Sequence, residues 1–312
     1  MNWKRVSHVL EYGAVGFMAR AARILPLGWA LAFGAFLGWL AWDIFRVRRR
    51  VALDNLRHAL GPETSEGERV AIGRRSYMNF GRFVVEFSRF PLLSKKTLQE
   101  RVTHRGMEHL DGAFAGGRGV ILLASHFGSW ELQGVSFAIL GYPMHFLVGE
   151  QHNRAVDDLM NHLRRGTGVG IIPKGYALRG VIQALRKNEM VGLLGDQDAR
   201  RRGVFVEFFG RPASTPRGPA SFALKTGALI VPSFIIRKKA GRHEVVVETP
   251  IEAVPSGDRE ADIRRVTQAH VRVLERYVRA HPDHWFWPHR RWKTRPPHTS
   301  RDASRESTGA GA

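Results

Sequence analysis

A histidine and a glutamate five positions apart, His126 and Glu131, follow the apolar run Val120-Ile121-Leu122-Leu123-Ala124. The run predicts a buried strand. Gly128 loosens the backbone after it, and Ser129 stands where an N-cap belongs, ahead of a helix that continues to Leu140. His126 is thereby placed at the carboxyl end of a strand, where open α/β sheets hold their chemistry. On one continuous helix a gap of five would turn the two side chains to different faces, but across a strand–loop–helix joint they can meet. A histidine that meets a carboxylate is a general base held in one tautomer, so His126 with Glu131 is the expected pair. For an isolated histidine a structural, helix-capping role would be the plainer reading. The strand, the glycine and the carboxylate around this one argue for catalysis.

A second run, Val191-Gly192-Leu193-Leu194, ends in Gly195-Asp196-Gln197-Asp198. Strand ends of one parallel sheet converge on a common crevice, so Asp196 is expected near His126. With no cysteine, no histidine cluster and no carboxylate cage, the two aspartates are not expected to hold a metal. Arg164 and Arg165 end a polar helix. They either meet the helix dipole or stabilise an anion, and chemistry does not separate one from the other. Ser125 and Ser129 are poor nucleophiles here because Gly-x-Ser-x-Gly is missing.

These residues need a scaffold, and the chain of 312 residues is long enough for one large α/β domain plus an appendage. Between residues 102 and 194 short apolar runs alternate with helical patterns, which predicts parallel βαβ units. A hairpin follows over residues 229–248 and an amphipathic helix over 262–280. The expected fold is a mixed, largely parallel sheet flanked by helices, with no internal repeat.

The formal charge of +20 implies an anionic partner: nucleic acid, an anionic membrane or an acidic carrier protein. Without cysteine there are no disulfides or thiolate metal sites, which fits a reducing compartment. Residues 24–42 carry no charge, include Trp29, Trp39 and Trp42, and are followed by Arg46, Arg48, Arg49 and Arg50. A membrane span takes roughly 20 apolar residues. The stretch predicts an anchor that crosses the bilayer or lies in its interface, with the basic cluster keeping the rest of the chain cytoplasmic. A cleaved signal peptide fits poorly, since the run ends in Trp-Asp instead of small residues. The expected division is a membrane-anchoring helical segment at 1–47, a catalytic domain at 48–298 and a disordered tail at 299–312.

Taken in order, Asp54-Asn55-Leu56, Asn79-Phe80-Gly81-Arg82, Ser125-His126-Phe127-Gly128-Ser129-Trp130-Glu131, Gly195-Asp196-Gln197-Asp198, residues 208–216 (FFGRPASTP) and residues 285–293 (WFWPHRRWK) form a specific series. It resembles the bacterial lipid A biosynthesis late acyltransferases, the lauroyl/myristoyl acyltransferase family, to which phosphatidylinositol mannoside acyltransferases are related. The resemblance runs from about residue 48 to residue 296. It implies a glycerolipid-acyltransferase-like fold and transfer of a fatty acyl chain from acyl carrier protein to a hydroxyl of a lipid A precursor at the inner membrane. No cofactor is implied beyond the acyl carrier thioester as co-substrate. His126 and Glu131 would be the catalytic dyad, Asp196 a further acidic residue, and Arg164 the functional arginine in preference to Arg165. Ser129, Trp130, Arg165, Gln197, Phe209, Arg211 and Thr215 would face substrate. Ser129 departs from the asparagine common at its position. Transfer to another glycolipid or aminolipid is the alternative. A basic nucleic-acid-binding protein is disfavoured, because the uncharged stretch at 24–42 has no purpose in it; no nucleic acid is expected as partner.

Overall fold

The computed structural model describes residues 3–297, and the tail expected at 299–312 lies outside them. Its strands are β1 (Val102–Arg105), β2 (Val120–Ala124), β3 (Met144–Val148), β4 (Gly170–Pro173), β5 (Met190–Leu194), β6 (Val204–Phe208), β7 (Arg211–Thr215), β8 (Leu229–Arg237) and β9 (His243–Val247). The α-helices are α1 (Trp3–Ile24), α2 (Leu27–Trp39), α3 (Arg49–Leu60), α4 (Glu66–Ser88), α5 (Lys95–Gln99), α6 (Met107–Ala115), α7 (Trp130–Leu140), α8 (Arg154–Arg165), α9 (Ala177–Arg186), α10 (Gly218–Thr226) and α11 (Arg259–Ala280).

Seven strands form one sheet in the order β1-β9-β8-β2-β5-β3-β4. All its pairings are parallel except β8 with β9. This is the mixed, largely parallel architecture that the strand–helix cadence predicts. The two central strands, Val-Ile-Leu-Leu-Ala and Met-Val-Gly-Leu-Leu, lack charge because helices cover both faces of the sheet. Their register pairs Ala124 with Leu194. Each strand therefore hands the chain over at the same level, with His126 and Asp196 two residues beyond the pair.

Residues 208–216 turn at Phe209-Gly210 and return as β7, antiparallel to β6 in a separate ribbon. Both turn residues have positive φ, 52° and 69°, as a two-residue hairpin that follows the strand twist requires. Pro212 and the small residues of β7 hid the strand, and a proline is tolerated here because the ribbon has two free edges. Helix α10 then begins at Gly218.

Helix α4 opens on a capping box: the Ser65 hydroxyl accepts from the Glu68 N–H at 3.2 Å, and the Glu68 carboxylate accepts from the Ser65 N–H at 2.9 Å. Against α4 lies α2, continued by a π-helical turn over Leu40–Ile44. Gly34 and Gly38 face Gly81 and Tyr77, and a Cβ at Gly34, Gly38 or Gly81 would strike the opposing backbone. Gly34 and Gly38, four residues apart on one face of α2, make this seam.

Candidate active site

The His126 Nδ1 lies 2.8 Å from Asp196 Oδ1. Asp196 is ionised, so it accepts, and Nδ1 carries the proton. The other nitrogen, Nε2, is left as the basic one. The His126 backbone N–H donates to Asp196 Oδ2 at 3.1 Å, and the Trp285 indole N–H donates to that same oxygen at 2.9 Å. Asp196 is buried. Burial alone would raise its carboxyl, but the His126 charge, the His126 ring hydrogen bond and the Trp285 and backbone donors hold it below the ordinary carboxylate range. The His126 side chain keeps 21% of its surface exposed, while that of Asp196 keeps 2%. The arrangement is a general base oriented from behind by a carboxylate.

The carboxylate on His126 is thus Asp196, and the expected pairing with Glu131 is corrected. Glu131 is buried in the first turn of α7 and turns to α8, where Arg164 holds it through two bonds, Nε to Oε2 at 3.0 Å and Nη2 to Oε1 at 2.5 Å. The third guanidinium nitrogen, Nη1, donates to Asn161 at 2.9 Å. Two buried charges are tolerable in this form because each satisfies the other bidentately. Helix α7 begins at Trp130, as Ser129 at the N-cap implies, but its first turn directs Glu131 toward α8, a direction that the spacing alone does not fix. The structure also separates the two arginines: Arg164 is buried in the pair, and Arg165 is exposed.

Ser129 occupies the N-cap position of α7, but its hydroxyl makes no capping bond. Its ψ of 64° departs from the extended geometry that aims a capping oxygen at the first turn. The hydroxyls of Ser125 and Ser129 are buried without a hydrogen-bond partner among the described residues. The opening N–H groups of α7 consequently stay free of a side-chain cap beside His126, and a helix N-terminus in that condition favours negative charge.

An aromatic wall surrounds the base. Trp130 meets the His126 ring edge-to-face at 5.0 Å between centroids and stacks on Phe83 at 3.9 Å. Phe286 lies 6.2 Å from His126 and 4.9 Å from Phe80. Residues after α11 clamp this wall. Phe127 and Trp285 form an antiparallel bridge, the Gly128 N–H donates to the His284 carbonyl at 2.8 Å, and the Phe286 N–H donates to the His126 carbonyl at 2.9 Å. From α4, Ser76 donates to the Trp285 carbonyl at 2.7 Å and Asn79 to that of Asp283 at 3.0 Å. From α3, Asn55 donates to the carbonyls of Trp287 and His289 at 2.8 and 2.6 Å. The sequence marks Asn55, Asn79 and the Trp-rich end as motif members without showing that they bind one another. Ser76 carries no sequence signal of its own. Trp285 and Trp287 are fully buried, so neither presents a ring face for stacking on bases.

The other expected substrate residues divide. Trp130 lines the site and Gln197 sits half-buried next to Asp196. Thr215 is buried and accepts from the guanidinium of Arg291 at 2.6 Å, which also donates to the Ser214 carbonyl at 2.6 Å. Arg291 is itself buried, and burial pushes it down to about 10. Thr215 therefore anchors a structural arginine. Phe209 sits at the hairpin turn against α11: its N–H donates to Glu275 at 2.7 Å and Arg279 covers its ring at 4.5 Å. Arg211 is exposed on the same ribbon. Among the described residues no group of three or more His, Asp or Glu side chains is placed to hold a metal.

The sequence matches the family described as "Bacterial lipid A biosynthesis acyltransferase" over residues 3–294. It is 28% identical over 274 residues to the lipid A biosynthesis lauroyltransferase of Escherichia coli, covering 87% of this chain and 88% of that one. It is also 28% identical over 229 residues to the phosphatidylinositol mannoside acyltransferase of Mycobacterium tuberculosis, covering 70% and 69%. Among solved structures, the 1-acyl-sn-glycerophosphate acyltransferase of Thermotoga maritima aligns with 80% of this chain and 96% of its own at 17% identity and a TM-score of 0.37. With a match that spans nearly every described residue, the chain belongs to the bacterial lipid A biosynthesis acyltransferase family.

Proposed function

We propose that this protein is an O-acyltransferase that moves a fatty acyl chain from acyl carrier protein to a hydroxyl of a lipid A precursor at the cytoplasmic face of the inner membrane. The observation that carries the mechanism is the Asp196–His126 hydrogen bond at Nδ1, which leaves Nε2 as the base. The acceptor hydroxyl gives its proton to Nε2 as its oxygen attacks the thioester carbonyl. The tetrahedral oxyanion lies against the uncapped N–H groups at the start of α7. Its collapse forms the ester and expels the carrier thiolate, which takes the proton back from the imidazolium. No covalent enzyme intermediate is needed.

Arg164 is assigned no oxyanion role in this scheme, because its guanidinium is buried against Glu131 and Asn161. The pair instead fixes α7 against α8, and with it the direction of the amides. The net charge of +20 suits two anionic substrates, an acidic carrier and a phosphorylated glycolipid.

The test is acyl transfer by the purified protein from an acyl carrier thioester to a lipid A precursor, read as ester product and free thiol. His126→Ala should lower turnover by a factor of about 10²–10⁴ while the protein stays folded. Near-normal turnover would sink the mechanism. A mannosylated or other glycolipid acceptor is the second reading, favoured by the equal identity to the mannoside acyltransferase. Mass spectrometry of lipid A from cells lacking this protein separates the two, and unchanged acylation would select the second.

A further inference from the structure

Helix α2 with its π-helical extension is apolar except for Asp43, which pairs with Arg74 of α4, yet only one side is covered. Ala30, Leu31, Gly34, Ala35, Gly38 and Trp42 are buried. Trp29, Phe33 and Phe36, spaced as one helical stripe, are 74%, 41% and 50% exposed, and Ile44 and Phe45 prolong the surface at 57% and 71%. By length and composition the segment Leu27–Ile44 could cross a membrane. Its flanks forbid that. On the side before α2, Arg23 donates to the Ser88 carbonyl at 2.7 Å, and Arg89 donates to the carbonyls of Ala22 and Leu25. On the side after it, the Tyr77 hydroxyl donates to the Val47 carbonyl at 2.5 Å, and Asn55 of α3 holds the C-terminal clamp. Both flanks are tied to the same folded body, which includes α4 and His126. A crossing helix would put ~30 Å of hydrocarbon between them, and would break these bonds and open the glycine seam with α4.

The occupant of the open stripe is identified by what borders it. Arg46, Arg48, Arg49 and Arg50 follow the stripe at once, and aromatic side chains next to arginines are the composition of a lipid headgroup boundary. The surface also adjoins the site along α4. Gly81 meets Gly34 in the seam, while its neighbour Phe80, 37% exposed, packs on Trp130 and Phe286 around His126.

We infer that α2 and its extension lie in the plane of an anionic membrane surface, with Trp29, Phe33, Phe36, Ile44 and Phe45 toward the acyl chains, and do not cross it. The surface assignment stands on geometry; only its purpose, to open the His126 mouth to a lipid acceptor, rests on the acyltransferase reading.

The absence of cysteine makes the topology directly readable. Gly28→Cys and Arg50→Cys place single thiols at exposed positions at the two ends of the segment. In sealed inverted membrane vesicles carrying the full chain, a membrane-impermeant maleimide should label both without lysis. Labelling of one only after lysis overturns the inference. Purified protein should sediment with phosphatidylglycerol vesicles, and the double variant Phe33→Glu/Phe36→Glu should bind them about 100-fold more weakly with an unchanged melting temperature. Equal binding by parent and variant overturns the lipid face, as does a soluble dimer of the parent that the variant dissolves. Acyl transfer to a detergent-dispersed acceptor, measured on the same samples, should survive in the variant. If parent and variant both lack it while the labelling and sedimentation hold, the surface inference stands and the proposed reaction falls.

Discussion

Asp196→Asn asks which carboxylate orients the base. Asp196 Oδ2 accepts two fixed donors, the His126 backbone N–H and the Trp285 indole N–H. An asparagine must put its amide oxygen there, since its NH2 would oppose both. The NH2 then stands where Oδ1 stood, 2.8 Å from Nδ1. A donor facing Nδ1 requires Nδ1 to accept, so the ring proton moves to Nε2 and the basic nitrogen is lost. The entire contribution of the positioned base is at stake, a factor of about 10²–10⁴, or ~3–5.5 kcal/mol in the barrier at about 1.4 kcal/mol per decade. The assay is acyl transfer under saturating donor, alongside thermal unfolding to show that the site still folds. Turnover within tenfold of the parent would refute the reasoning. So would a collapse of turnover in Glu131→Gln at an unchanged melting temperature, because that outcome makes Glu131 the partner of His126 after all.

Three further outcomes follow from the same geometry. Glu131→Gln and Arg164→Met should each cost about 3–5 kcal/mol by stranding a buried charge, seen as a melting temperature roughly 6–20 °C lower; the double variant should lose less than the sum, and strict additivity would show that the pair is not coupled. Trp285→Phe removes one donor to an ionised carboxylate and should lower stability by ~1.5–3 kcal/mol, read as a lower melting temperature, while the Asp196 carboxyl rises; a melting temperature equal to the parent's would leave Trp285 a packing role alone. His270 is buried, and burial with nearby Arg291 lowers it to about 3, so it adds stability that is complete above the unfolded value near 6.5 and is lost as pH falls toward 3, on the order of 5 kcal/mol in full. His270→Phe should flatten the loss of melting temperature below pH ~6, and an unchanged acid profile would assign that loss to other groups.

The sheet and the meeting of His126 with Asp196 were legible because apolar runs that end in polar residues mark parallel strand ends, and parallel strand ends converge. What the spacing could not show is which of two carboxylates the histidine faces. Glu131 is nearer in sequence, but the helix that starts at Trp130 commits its direction, whereas Asp196 sits across a register pairing that no local pattern encodes. Residues 208–216 hide their strand for a related reason: glycine and two prolines carry no strand pattern, and the partner strand β6 lies outside any window that sees them. Thr215 and Arg291 lie 76 residues apart, and Asn55 and Trp287 lie 232 apart. Such pairs are long-range by construction of the fold, and a single sequence states the members without the bonds.

Those long-range bonds give the clamp after α11 its place in the mechanism. Trp285 offers its carbonyl to Ser76 of α4, its indole N–H to Asp196 beyond β5, and its backbone to the bridge with Phe127 beyond β2. Three elements that the sheet topology brings only to the same level are thereby fixed relative to one another to within a hydrogen bond. Since α4 also carries the glycine seam with α2, the position of His126 relative to the exposed aromatic stripe of α2 is set by the same helix that pins the clamp. For the proposed transfer to a membrane lipid, that fixed position matters more than a deep pocket, because such an acceptor's headgroup would be confined near the surface. Ser76 and Phe80, one turn apart on the same face of α4, hold the clamp and line the mouth, while Gly81 on the adjacent face rests on α2.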